Sequence, residues 1–146
     1  MARIILSAVW RIELMTWEKA RAQAAPIRLA VFVEEQGVPA ELEMDEMDAR
    51  CVHALAFEDS RAVGTGRLLP DGHIGRMAVL KEFRGKGAGG ALLAKLMEAA
   101  KSRGDREVVL SAQVHAVPFY QAYGFELFGE VYEEAGIPHR DMRRDL

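Results

Sequence analysis

Cysteine is nearly absent from this chain: Cys51 is the only one. A single thiol excludes an internal disulfide framework and fits a reducing compartment, so a cytoplasmic location is expected. A long hydrophobic run is missing as well. The longest apolar stretches, such as Ile4 to Trp10, are far too short to span a bilayer. Arg11 and Glu13 follow that N-terminal run at once without a small-residue cleavage pattern, which argues against a secretory signal. Charge of one sign is also scarce, with a net charge of −3. The global basic field that nucleic-acid binders use is therefore excluded, although a local basic nest is not. Low-complexity tracts, internal repeats and linker-like stretches are absent, so 1–146 is expected to be one domain. No H-E-x-x-H or cysteine pair occurs and the four histidines are scattered, so no metal is expected.

What is present is enough apolar material for one real core: 50% of 146 residues, beside 28% charged. Thr16 is a plausible N-cap for a helical pattern over 16–33 (Trp17, Ala20, Ala24, Ile27, Val31), interrupted by Pro26. An acidic stretch from Glu34 to Asp48 reads as a solvated loop. Val52 to Glu58 and Ala62 to Leu69 read as a hairpin, and His73 to Leu80 follows Pro70-Asp71-Gly72 as a third strand. Beyond it, apolar positions from Ala88 to Ala100 recur on one helical face and stop at Gly104. Glu107 to Ala112 is a nearly continuous apolar run, which predicts a strand buried on both faces. A short helix near Val117 to Tyr123 and strand-like pieces at Phe125 to Gly129 and Arg140 to Arg144 complete a mixed α/β (α+β) pattern.

The densest chemical signal is Arg84-Gly85-Lys86-Gly87-Ala88-Gly89-Gly90, between a strand and a helix. Glycines there let an anion reach successive backbone N–H groups at a helix N-terminus, where the macrodipole also favours negative charge. Phosphate binding is the expectation. Gly85, Gly87 and Gly90 spell a dinucleotide fingerprint, but Asp105 precedes the following strand instead of ending it, and a strand meander comes first. A Walker A loop fails, because Gly85-Lys86 lacks the upstream glycine and the following Ser or Thr.

Arg84-x-x-Gly87-x-Gly89, after Met77-Ala78-Val79, resembles the acetyl-CoA motif of the GCN-five-related N-acetyltransferases (GNAT). Phe119-Tyr120-Gln121-Ala122-Tyr123-Gly124-Phe125 is similar to that superfamily's second hallmark. Val31-Phe32-Val33-Glu34-Glu35-Gln36, Leu110-Ser111-Ala112-Gln113 and Gly136-Ile137-Pro138-His139 through Met142 resemble the ElaA-like branch. The resemblance implies a central twisted mixed sheet flanked by helices, opened into a V between its fourth and fifth strands. It also implies acetyl-CoA as co-substrate. Met77, Ala78 and Val79 would face the pantetheine arm and acyl carbonyl. Arg84, Gly85, Lys86, Gly87, Ala88 and Gly89 would hold the pyrophosphate, and Tyr120 would sit by the sulfur. Gln113 stands where many members have an asparagine that contacts the pantetheine. Arg28, Gln36 and Arg67 match polar positions near the acceptor pocket.

The implied activity is transfer of an acetyl group to a primary amine of a small molecule or peptide. A non-catalytic acyl-CoA-binding module and a nicotinamide-binding oxidoreductase are the other readings the glycine turn allows. Acyl transfer needs a neutral amine, a polarised thioester carbonyl and a proton for the departing thiolate. The Val79 N–H is a candidate for the carbonyl, and Tyr120, with an ordinary pKa of about 10, for the proton. Glu34, Glu35, Glu43, His73, His115 and His139 are candidate bases, with two ranked first: His115 for lying near the expected cofactor strand and His139 for its place in the family-like C-terminal segment. Acidic residues Glu41 to Asp48 favour a cationic acceptor, whereas Arg28 and Arg67 favour an anionic group; both options stand. Free strand and helix edges make a homodimer plausible.

Overall fold

The computed structural model describes residues 10–146; the apolar run Ile4 to Trp10, apart from Trp10, lies outside them. Strands buried on both faces form the middle of the first sheet. It is antiparallel, in the order β1 (Arg11–Met15), β2 (Val52–Glu58), β3 (Arg61–Leu68), β4 (Ile74–Val79). Strand β2 is apolar on both faces for a reason. Ala54 and Ala56 pack under helix α3 (Ala88–Ser102), while Leu55 and Phe57 pack under helix α1 (Trp17–Arg28). The β2–β3 connection is a tight turn at Asp59-Ser60, with Asp59 in the left-handed region at φ 54°. Strand β1 lacks the strong pattern of the others, and only its register against β2 (Arg11 opposite Phe57, Met15 opposite His53) defines it.

Thr16 does occupy the N-cap of α1, but its side chain makes no cap; its carbonyl accepts from the Lys19 and Ala20 N–H groups at 3.2 and 2.9 Å. Pro26 sits inside α1 without ending it. The chain continues through a seven-residue π-helical stretch, Leu29–Glu35, closed by the Gln36 N–H on the Val31 carbonyl at 3.2 Å. A proline deletes one rung of the ladder, and wide turns of this kind concentrate at functional sites. A short helix α2 (Ala40–Glu43) and a 3₁₀ turn (Glu46–Arg50) then lead into β2.

Helix α3 buries Leu92, Leu93, Leu96 and Ala100 on both sheets, touching Val108, Leu110 and Met142 of the second one. That second sheet runs β5 (Glu107–Gln113), β7 (Ile137–Asp145), β6 (Glu126–Glu134), all antiparallel. The last hairpin is longer than its sequence pieces predict, because it turns at Ala135-Gly136 and carries a bulge between Phe128 and Tyr132. Strand β5 corrects the expectation of burial on both faces. Val108, Leu110 and Ala112 face the core, while Glu107 and Ser111 are exposed, so one face is left free for a cleft. Helix α4 (Val117–Ala122) follows β5 directly.

Strands β4 and β5 are parallel, yet they meet only at the single bridge His73–Val109. From there they diverge, which makes the two sheets one mixed sheet split into a V between its fourth and fifth strands. In open sheets with parallel strands, ligands lie at the carboxyl ends, here Val79 and Gln113. Among the described residues, no helix is long and apolar enough to cross a membrane.

Candidate active site

Helix α3 opens at Gly87, whose φ of 93° is a left-handed conformation that a Cβ would strain. A glycine has no side chain with which to cap, so among the described residues the first-turn N–H groups of Ala88, Gly89 and Gly90 have no side-chain acceptor. That leaves a polarised set of donors for an anion. A cavity of about 470 Å³ opens on this turn. Among the predicted cofactor residues, Met77, Ala78, Val79, Arg84, Gly85, Gly87, Ala88, Gly89 and Tyr120 all line it, together with Phe83, Gly90, Ala116, Phe119 and Tyr123. Lys86 and Gln113 do not. Lys86 directs its ammonium over the Phe83 ring at 5.7 Å, and its carbonyl accepts from the Trp10 indole N–H at 2.9 Å.

The aromatic wall of this cavity comes from α4. Tyr120 packs edge-on against Phe119 and Phe125, with centroids 5.0 and 5.8 Å away. Burial among these rings pushes its phenol up to about 12. Tyr123 plays a packing part: its hydroxyl lies so close to Gly90 that a Cβ there would stand 1.7 Å from it. Gly90 is thus required by a neighbour, beyond its place in the fingerprint.

Arg84 uses its side chain differently from the expected anion contact. Its Nε–H donates to the Val79 carbonyl at 2.8 Å, and its two terminal nitrogens grip Glu35 at 2.8 and 2.6 Å. Glu35 is accordingly held below the usual carboxylate range, chiefly by that hydrogen bond, which makes it a poor base. The next residue, Gln36, exchanges amide hydrogen bonds with Gln113 at 2.8 and 3.3 Å. Two residues predicted for different ligands are thereby brought together.

Arg28 and Arg67 do not line an open pocket. Arg28 is 1% exposed and donates through all three nitrogens to Glu43 and Asp48, at 2.8 to 3.0 Å. Arg67 is also buried, and binds Asp45 at 2.7 Å and Asp48 at 2.8 Å. Arg76, at φ 51° on a strand that bulges against β3, adds bonds to the Glu43 carbonyl and Asp45. The acidic stretch is therefore only in part a solvated loop: Glu34, Glu41 and Glu46 are exposed, but Glu43, Asp45 and Asp48 neutralise three arginines. Pairs separated by 15 to 33 positions leave no periodic trace in a sequence. Glu43 is thereby removed as a free base.

The two favoured histidines part company. His115 is exposed on the turn between β5 and α4, beside cavity residue Ala116. His139 is buried on β7, directly opposite Gln113 in register, with its Nδ1 2.7 Å from the Ile137 carbonyl and its ring stacked on Tyr132. A hydrogen on Nδ1 leaves the Nε2 lone pair as the basic one. Sequence reasoning missed the polar group beside it on the coreless face of the second sheet, where the Tyr132 hydroxyl donates to Asp141 at 2.9 Å and touches Ser111. Period-two spacing of Ser111 with Gln113, and of His139 with Asp141, was the available signal. His73 sits in the turn before β4, bonded to Asp71 at 3.0 Å and remote from the cavity lining. Cys51 is buried with its thiol pushed up by desolvation, the opposite of an activated nucleophile.

Comparison with known proteins bears on this geometry. Residues 17–146 match the family described as acetyltransferase (GNAT) domain. The uncharacterized N-acetyltransferase YjcF of Bacillus subtilis is 39% identical over 132 residues, covering 88% of this chain and 94% of its own. The crystal structure of Escherichia coli ElaA superposes with a TM-score of 0.83 at 32% identity, covering 93% of this chain and 99% of that one. An acyl-CoA N-acyltransferase from Pseudomonas aeruginosa gives 0.82 at 33%, with coverage of 93% and 99%. A glycine-opened helix, a V between β4 and β5, and these matches over nearly the whole chain together show that the protein belongs to the GNAT acetyltransferase family, among ElaA-like relatives.

Proposed function

We propose that the protein transfers an acetyl group from acetyl-CoA directly to a primary amine of a small molecule or peptide. One observation carries the reading: the uncapped N–H groups of α3 and the Tyr120 ring open into the same cavity, at the carboxyl end of a splayed β4. The donors suit a pyrophosphate, and the walls from Met77 to Val79 suit the arm that follows it. Acetyl-CoA would supply the activated thioester.

In this reading the amine nitrogen attacks the thioester carbon, and the Val79 N–H takes the developing oxyanion. The C–S bond then breaks, and the Tyr120 hydroxyl gives its proton to the departing sulfur. A phenol raised to about 12 stays protonated throughout the working pH range, so it remains a donor. The amine's proton leaves through solvent or through a histidine. His139 has its Nδ1 engaged at 2.7 Å, which leaves Nε2 for that role, and His115 is the more accessible.

The test is an amine panel monitored by thiol release from acetyl-CoA. Turnover with one or more amines supports the reading. Tight acetyl-CoA binding without turnover on any amine would instead make the chain a binding module.

A further inference from the structure

The open ends of the V are held by something other than a strand ladder. Beyond the His73–Val109 bridge, β4 and β5 share no pairing, so Val79 and Gln113 stand apart. Two consecutive side chains span the gap. Glu35 holds Arg84 in a two-pronged ion pair at 2.6 and 2.8 Å, and Arg84 in turn holds the Val79 carbonyl at 2.8 Å. Gln36 holds Gln113 through both amide groups. A continuous polar path therefore runs from the end of β4 to the end of β5: Val79, Arg84, Glu35, Gln36, Gln113. Its middle is anchored from below, because Val31 of the π-helical stretch is buried against Leu55, Phe57 and Ala78.

We propose that Glu35 and Gln36 are positioning residues that fix the separation of the two cleft walls and thereby set the acyl chain length the cleft accepts. The proposal rests on the acyl-CoA reading of that cleft. An exposed ion pair contributes little to stability, but a two-pronged arginine–carboxylate contact defines geometry strictly. The Glu35 and Arg84 side chains are 37% and 40% exposed, so this pair belongs to the class that orients more than it stabilises. Links in series have a further property. Once one is cut, the walls are already free, and cutting the other changes little.

Calorimetric binding of acetyl-, butyryl- and hexanoyl-CoA tests this without knowledge of the acceptor. The wild-type protein is expected to favour acetyl-CoA over hexanoyl-CoA. Glu35→Ala and Gln36→Ala should each shrink that preference by about fivefold or more, on the scale of a methylene or two in a fitted pocket. The double variant should match the larger single effect, and Glu35→Gln, which keeps one acceptor for Arg84, should fall between. Melting temperatures near wild type confirm that the variants are folded. An unchanged preference in both single variants, fully multiplicative effects in the double variant, or a wild-type protein indifferent to chain length overturns the tie. Failure of the wild-type protein to bind any of the three thioesters overturns the cleft reading itself.

Discussion

Replacing Arg28 with methionine removes the centre of the buried ionic network while keeping much of the side-chain volume. Five hydrogen bonds disappear: three to Glu43, including its carbonyl, and two to Asp48. Among the described residues, Glu43, whose side chain is 1% exposed, then keeps only Arg76 at 3.5 Å as a charged partner, and Asp48, at 2%, keeps only Arg67. The guanidinium also lies 5.1 Å from the Trp17 ring, so a cation–π attraction goes with it. Removing one partner of a buried pair strands charge away from water and costs roughly 3–5 kcal/mol. For a chain of this size that corresponds to a fall of about 10–20 °C in melting temperature. The Arg11–Glu13 pair, with both side chains about half exposed, provides the contrast: Arg11→Met should cost under about 1 kcal/mol. Urea unfolding followed by circular dichroism measures both. If Arg28→Met unfolds within about 1 kcal/mol of wild type, the network is not a structural unit. If Arg28→Lys keeps its stability yet weakens acceptor binding about tenfold, the arginine acts on substrate after all.

Tyr120→Phe should lower acyl-transfer turnover by about tenfold or more with little change in acetyl-CoA affinity, and unchanged steady-state turnover would remove the proton-donor role. Wild-type turnover should show no alkaline loss from Tyr120 ionisation below about pH 11, because burial lifts that phenol to about 12; an inflection near its ordinary value of about 10 contradicts this. Gly90→Ala drives a methyl onto the Tyr123 hydroxyl and should cost about 1–3 kcal/mol by forcing that ring off Phe119, with part of the loss restored by Tyr123→Ala in a thermal melt. Acid should weaken the fold through the arginine network. Asp45 is held down mainly by its Arg67 hydrogen bond; burial pushes Asp48 up, but Arg28 and Arg67 together pull it below the usual range. Depressed folded values mean that this stability is full above the unfolded value of about 3.9 and is lost as pH falls further, so urea midpoints of Asp48→Asn should depend less on pH there.

The chain's local chemistry determined a good deal by itself. The glycine turn, its place between strand and helix, and the Phe119-Tyr120 pair were legible because phosphate loops and short helices are written in contiguous residues. The hairpin at Asp59-Ser60 and the apolar face of α3 were legible through turn chemistry and period. Tertiary structure alone decided the rest. Glu43, Asp45 and Asp48 look like a solvated acidic loop until Arg28, Arg67 and Arg76 arrive from three other elements to neutralise them. Strand β5 looks doubly buried until the V leaves one of its faces without a covering layer. Arg84 looks like a free cation for phosphate until Glu35, 49 positions away, claims it. Periodicity reports which face of an element is apolar. Which charge meets which, and which sheet face stays open, follows from how the elements pack, because those energies arise between residues distant in the chain.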